Sequence, residues 1–360
     1  MKTCKDPGPP TVLIRREKSA LHLILNHPET INSLTWEMLQ KIAGETEKAQ
    51  ADKSIKLIIL SGNGVKGFCA GGDIKLMAQA VTKNDIEPVM SFLKVENGLD
   101  QAIYNFRKPV VVFAHGVTMG GGLGLSAGAD IVAANETTRM AMPETRIGFF
   151  PDVGSTGWLF KKCGKGYPEF LALTGYELLG AECVRLGLAD CLIGSERFEE
   201  ALDTVIEHSS ELPSGRKDAA AALKKILRPF SQTDIPANKD MDRWIEKYFA
   251  GKTSVLDLLM DLKACSTQNE LCEGVFARLS ERSPLAVVVT LKCLRSDERK
   301  DLAEVYKSDL RVARFLMTQH DFREGVRARL IDKDDQPHWD PATFEQASQM
   351  LDCKAIMDQL

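Results

Sequence analysis

No run of about 18 apolar residues occurs in the 360-residue chain, so no helix is expected to cross a membrane. The opening stretch, MKTCKDPGPPTV, lacks an apolar h-region and an Arg/Ser-rich amphipathic segment, and no export or organelle signal is expected from it. No CxxC pair exists among the nine cysteines, whose number is odd. That argues against a disulfide framework or zinc site and predicts reduced thiols in a cytoplasmic setting. Positive charge is not in excess: 46 basic against 50 acidic residues give a formal charge of −4. Nucleic acid is therefore excluded as the main partner, while a local basic patch for a phosphorylated small molecule is not. Histidine is scarce at six, and only His115, His320 and His338 lie in motif-rich surroundings, so a Ser–His–Asp triad has no support. Low-complexity tracts are also missing.

What remains is an ordinary globular composition, 44 % hydrophobic and 27 % charged, with ample material for a core. Residues 1–10 read as a loose Pro-rich tail, followed by β-like runs at 12–15 and 20–26 around a charged turn. Thr35 to Lys48 has helical periodicity, with Thr35 as candidate N-cap. Continuous apolar runs at 55–62, 109–116 and 129–135 predict strands buried on both faces, with a helix over 87–106 and a short one in GLGLSAGA. Strands alternating with helices predict an α/β architecture over 11–200. Beyond about 200, apart from a short apolar run near 285–290, the segments are helical: 197–210, 216–227, 240–249, 254–263, 268–281, 300–317 and 341–357. The chain length favours this core-plus-appendage organisation, 11–200 and 201–360.

The chemistry concentrates in HGVTMGGGLGLSAGADIVAANETTRMAMPETRIGFFPDVG, residues 115–154. Gly120, Gly121 and Gly122 let backbone N–H groups approach a ligand that no side chain would admit. Gly122 to Ala127 also fits a GxGxxG/A dinucleotide fingerprint, but the next strand follows after less than two helical turns, too soon for that fold. A close-packing glycine turn is a further alternative; an oxyanion site at a helix N-terminus fits better. A second glycine loop, Phe68 to Ile74, follows the strand at 55–62, and each loop has one N–H to offer a single oxygen. Cys69 in that loop reads as a small buried hydrophobe, since no histidine lies near to activate it. Glu144 follows Pro143, and burial there would raise its pKa into the range useful for proton transfer; a solvated loop glutamate is the alternative. Asp152, in FFPDVG, has the plain alternative of capping a helix over 155–162.

FCAGGDI, HGVTMGGGLGLS, MPETRIGFFPDVG and LTGYELLGAECVRLGLAD together resemble the enoyl-CoA hydratase/isomerase (crotonase) superfamily. SPLAVVVTLKCL and HDF-x-EGVRA-x-LIDKD-x-x-P-x-W extend the likeness over nearly the whole chain and point to its 3-hydroxyisobutyryl-CoA hydrolase branch. The resemblance implies a ββα spiral core with a helical C-terminal region. It also implies hydrolysis of a short β-hydroxyacyl-CoA, such as 3-hydroxyisobutyryl-CoA in valine breakdown, with no metal or redox cofactor. By match of position, Gly72 and Gly121 would form the oxyanion hole, Glu144 and Asp152 would be the catalytic acids, and Glu96 would line the substrate pocket. Lys66 and Lys75 become candidates for the CoA phosphates, along a groove near 30–34 and 66–75. Typical hydratases carry glutamate at the position of Gly124 and glycine at that of Asp152; the reversal here disfavours hydration. Asn97 stands where the branch commonly has tyrosine, which bears on substrate preference. A hydratase, an isomerase, another acyl-CoA hydrolase and a non-catalytic acyl-CoA-binding protein stay as alternatives, and a homo-oligomer is left open.

Overall fold

A computed structural model describes residues 9–265 and 269–352, with backbone only at 74, 75 and 269. Two strands, β1 (Val12–Glu17) and β2 (Ala20–Leu25), form an antiparallel hairpin turning at Lys18, whose φ is 54°. Helix α1 (Trp36–Ala51) starts where expected: Met38 N–H donates to the Thr35 hydroxyl at 3.2 Å. Strand β3 (Leu57–Gly62) leads through the glycine loop to α2 (Ile74–Lys83) and α3 (Glu87–Tyr104). Then come β4 (Val110–Ala114), β5 (Val117–Met119), α4 (Gly121–Ala127), β6 (Ile131–Ala134) and β7 (Arg139–Ala141). After α5 (Ser155–Lys162) and α6 (Tyr167–Thr174), short elements β8 (Leu178–Leu179), α7 (Ala181–Arg185) and β9 (Cys191–Leu192) complete the sheets. The strands form one sheet in the order β1-β2-β3-β4-β6-β9, parallel beyond the hairpin, and a second, β5-β7-β8.

Side chains alternate across the larger sheet with the two-residue period of strands, and both faces are apolar because both are covered. Ile58, Leu60, Val110, Val112 and Val132 join the main core; Leu57, Ile59, Val111, Phe113 and Ile131 face a second cluster under α8 (Phe198–Glu207) and α9 (Arg216–Leu227). The remaining helices are α10 (Lys239–Phe249), α11 (Val255–Lys263), α12 (Asn269–Ser280), α13 (Pro284–Asp297), α14 (Leu302–Met317), α15 (His320–Val326) and α16 (Phe344–Leu351). They share the main core with the strands, from Val12 to Leu351.

Some expectations change. The apolar run at 285–290 is the buried first half of α13, capped by Ser283, whose hydroxyl accepts from Ala286 N–H; apolar on every side, it carries no periodicity that separates helix from strand. Helix α2 and strand β5 were not expected: no element was read between the glycine loop ending at Ile74 and the helix from 87, and β5 is only three residues between Gly116 and Gly120. Cys265, just past α11, and Cys272, in α12, form a disulfide with their Cα atoms 6.6 Å apart, contrary to the expectation of reduced thiols throughout. Cys69, Cys163, Cys183, Cys191 and Cys293 are free. The expected tail at 1–10 lies mostly outside the described residues, as does the end of the helix expected over 341–357. Among the described residues no helix is long and apolar enough to cross a membrane.

Candidate active site

The two glycine loops meet because the first is laced to β5. Phe68 N–H donates to His115 O at 2.8 Å, Cys69 N–H to Val117 O at 3.1 Å, and Met119 N–H returns to Cys69 O at 3.0 Å. Gly71, at φ 102°, then turns the chain in a conformation that other residues adopt at a cost. Leu34 N–H and the Ser33 hydroxyl hold the carbonyls of Gly71 and Gly72 at 2.8 and 3.0 Å. The loop is therefore fixed from both sides. Among the described residues neither Gly72 N–H nor Gly121 N–H donates to a protein acceptor, although both residues line one cavity of ≈ 390 Å³. Unpaired backbone donors are uncommon in a protein interior, and two on one wall suit an oxygen acceptor brought by a ligand.

Glu144 opens a 3₁₀ turn, Glu144–Ile147, which closes at Gly148 with Phe149 N–H donating to Glu144 O at 3.1 Å. The C-terminal motif holds this turn in place. A Cβ on Gly148 would lie 2.2 Å from Asp321 O, and one on Gly325 would lie 2.4 Å from the Ile147 carbonyl carbon, so α15 rests directly against the turn. Glu144 Oε2 is buried without a hydrogen-bond partner. Burial, reinforced by Asp152, holds its carboxyl well above the usual range. Asp152 itself is 8 % exposed, and burial pushes it up to about 7. It does not cap the helix that follows. Gly154 takes the N-cap position of α5, and its N–H donates to Asp309 Oδ2 at 2.7 Å. Glu96, on α3, completes the set lining the cavity, raised by burial and then by Asp152, Asp100 and Glu144.

Two further acids stand close behind this set. Asp100 is one helical turn beyond Glu96, buried with neither carboxyl oxygen partnered, and Asp309 on α14 has Oδ1 unpartnered. Glu96 and Asp100 share a helix face otherwise made of Phe92, Leu93, Leu99 and Ile103, and that i, i+4 pair of acids among apolar residues was a legible signal. Buried carboxyls of one sign hold protons to higher pH than free ones. For Asp152 the folded value lies above the ordinary 3.8. Its contribution to stability is therefore full below about 4 and is lost as pH rises through about 7. Asp152→Asn removes this slope. The variant is expected to gain in melting temperature relative to the parent from pH 5 to pH 8; a constant difference between the two proteins across that range would contradict the assignment.

Other sequence candidates are not among the described residues that line the cavity. Lys66 is exposed and absent from the lining, although its backbone belongs to the laced segment, its carbonyl accepting from Val117 N–H at 3.1 Å. The side chain of Lys75 lies outside the described residues. Asn97 is buried but turns towards α14, donating to Tyr306 O at 3.4 Å. Burial pushes the Cys69 thiol up to about 12, which leaves it inert as a nucleophile. His115 is engaged with Gly64 O at 2.7 Å. Arg146 and Arg329, neither singled out from sequence, do line the cavity.

The sequence profile of the enoyl-CoA hydratase/isomerase family matches residues 20–354. The chain belongs to that family. Within it, the chain is 33 % identical to 3-hydroxyisobutyryl-CoA hydrolase, mitochondrial, of Gallus gallus, over 97 % of its own length and 89 % of the relative's. It is 35 % identical to the Homo sapiens protein of the same name, over 94 % and 86 %. Among solved structures, a carnitinyl-CoA dehydratase from Mycobacterium thermoresistibile superposes with a TM-score of 0.85 at 30 % identity, covering 97 % of this chain and 95 % of that one. An enoyl-CoA hydratase from Rhodobacter sphaeroides 2.4.1 gives 0.82 at 27 %, covering 97 % and 99 %. The expected α/β spiral with a helical C-terminal region is the fold.

Within this enoyl-CoA hydratase/isomerase family member, Gly124 has no room for the glutamate that typical hydratases carry there. A Cβ would lie 2.5 Å from Asp100 Oδ2 and 2.9 Å from Val153 Cβ, both buried. Gly124→Glu is expected to destabilise the fold by roughly 3 kcal/mol, through overpacking and an unpaired buried charge. A urea titration showing unchanged stability would refute this reading of the site.

Proposed function

We propose that the protein hydrolyses short β-hydroxyacyl-CoA thioesters, 3-hydroxyisobutyryl-CoA foremost, to the hydroxy acid and CoA. The observation that carries the reading is the pair of unpaired N–H groups, Gly72 and Gly121, in one cavity with Glu144 and Asp152. In this reading the thioester oxygen accepts hydrogen bonds from the two glycines, where negative charge develops as the carbonyl carbon is attacked. Glu144 as carboxylate serves either of two routes. As nucleophile it forms a mixed anhydride and expels the CoA thiolate, and water then opens the anhydride. As general base it takes the proton of the attacking water. Asp152 orients the substrate hydroxyl or the water, and its charge keeps the neighbouring carboxyl basic. Glu96 lines the acyl end. Each step uses protein groups and water alone.

The curated relatives compared above are named as 3-hydroxyisobutyryl-CoA hydrolases, which supports the acyl choice, and the crowding at Gly124 speaks against the hydratase alternative. Among the described residues five cysteines are free and two form the Cys265–Cys272 disulfide; on the free majority we place the protein in the cytoplasm, whereas the curated relatives compared above are named as mitochondrial. Free-thiol release from a panel of acyl-CoAs tests the function. Turnover of 3-hydroxyisobutyryl-CoA and 3-hydroxypropionyl-CoA is expected, with crotonyl-CoA left unhydrated. Hydration of crotonyl-CoA without thiol release from either hydroxyacyl-CoA would defeat it.

A further inference from the structure

The acids do not exhaust the cavity's charged groups. Arg146 sits on the same 3₁₀ turn as Glu144 and lines the cavity. Among the described residues its guanidinium makes no hydrogen bond or ion pair, and its Nε is buried without a partner. Arg329 reaches the same cavity from a π-turn, Arg327–Ile331, that continues α15. It pairs through Nη1 with Asp335, a carboxylate 67 % exposed, while its Nε is also buried and unpartnered. Behind them lies Arg282, only 2 % exposed, with Nε and Nη2 donating to Thr174 O at 3.1 and 2.7 Å. Its Nη1 is unpartnered, with the exposed Glu281 carboxylate 3.6 Å away. Ser283 N–H donates to Thr145 O at 3.1 Å, which ties the Arg282 segment to the residue beside Arg146.

These guanidinium groups feel one another. Burial, followed by the charges of Arg146, Arg278 and Arg329, pushes Arg282 down to about 9, against which Glu281 acts alone. Cations concentrated beside two exposed carboxylates, with buried N–H donors unused, form an environment that an anion would stabilise. Planar guanidinium forks match carboxylate and phosphate oxygens better than ammonium groups do.

We propose that Arg146 and Arg329, backed by Arg282, form an anion-binding wall of the cavity that takes a carboxylate or phosphate group carried by the thioester substrate. The proposal rests on the hydrolase reading for the word substrate, but the site itself does not. Its test compares the parent with Arg146→Met, Arg146→Lys and Arg329→Met on three thioesters. The first is a neutral β-hydroxyacyl-CoA, the second the same acyl group on pantetheine, without phosphates, and the third a β-hydroxyacyl-CoA ending in a carboxylate. If a CoA phosphate is the anion, KM for both CoA thioesters rises about 10-fold or more in the Met variants, while the pantetheine thioester is unchanged. If an acyl carboxylate is the anion, only the third compound suffers. Either pattern, with partial recovery in Arg146→Lys, supports the wall. Unchanged KM for all three, or an equal rise that includes the neutral pantetheine thioester, overturns it. Arg146→Met breaks no contact among the described residues, so a folding defect is not expected to mask the result. Calorimetric titration with thioether analogues of the same compounds reads binding without turnover. A parent that hydrolyses nothing but discriminates these analogues would sink the hydrolase reading and keep the anion wall.

Discussion

Glu144→Gln is expected to lower kcat by about 10²–10⁴-fold, the range lost with a positioned general acid–base group. The amide keeps nearly the same shape, so the cavity and its glycine walls persist. What disappears is the capacity to attack or to take a proton. Affinity for a hydroxyacyl-CoA should therefore stay within a few-fold of the parent's, because the oxyanion donors and the rest of the cavity are untouched. Burial raises the Glu144 carboxyl in the parent, so activity that depends on its ionised form should climb with pH and level off above its raised pKa. The Gln variant should lose that climb. Thiol release measured across pH, beside equilibrium binding, checks both parts. Turnover equal to the parent's would remove Glu144 from the mechanism and favour a binding protein that kept the fold.

Gly121→Ala carries the second large effect. Its new Cβ would stand 2.2 Å from Glu96 Oε1 and 3.0 Å from Leu34 Cδ1, two buried side chains with little room to retreat. The start of α4 must then move away from α3, and with it the Gly121 N–H. Losing one oxyanion donor costs about 10²–10³ in kcat, and the overpacking roughly 1–3 kcal/mol of stability. The two losses separate by experiment: single-turnover hydrolysis reads the first, chemical denaturation the second. A stable variant with parental kcat would show that Gly121 N–H does not meet the reacting oxygen.

Much of the site was legible because it is local. Gly72 and Gly121 sit in glycine runs, and Glu144 and Asp152 stand eight residues apart in Pro/Gly-rich punctuation. The stretch just beyond the first glycine loop was not legible to the same degree: α2 contains no glycine, yet no helix was read between that loop and residue 87. Asp309, Arg146 and Arg329 escaped notice for a different reason. Each is an ordinary charged residue in sequence, and its meaning comes from what folding places around it. Lys66 shows the converse: a cation in a motif-rich stretch that the fold leaves exposed and outside the cavity lining.

Periodicity and glycine placement determined five of the six strands of the main sheet, all but β9, the helical character of the second half, and the two loops that bring N–H groups forward. These follow from φ/ψ preferences and burial patterns that act over a few residues. Only the tertiary structure decided that α15 buttresses the Glu144 turn, that Asp152 faces four other buried carboxyls instead of capping α5, and that Cys265 meets Cys272. It alone decided that arginines from residues 146 and 329 share a cavity wall. Electrostatic character belongs to distance and desolvation in three dimensions, and a linear chain carries neither.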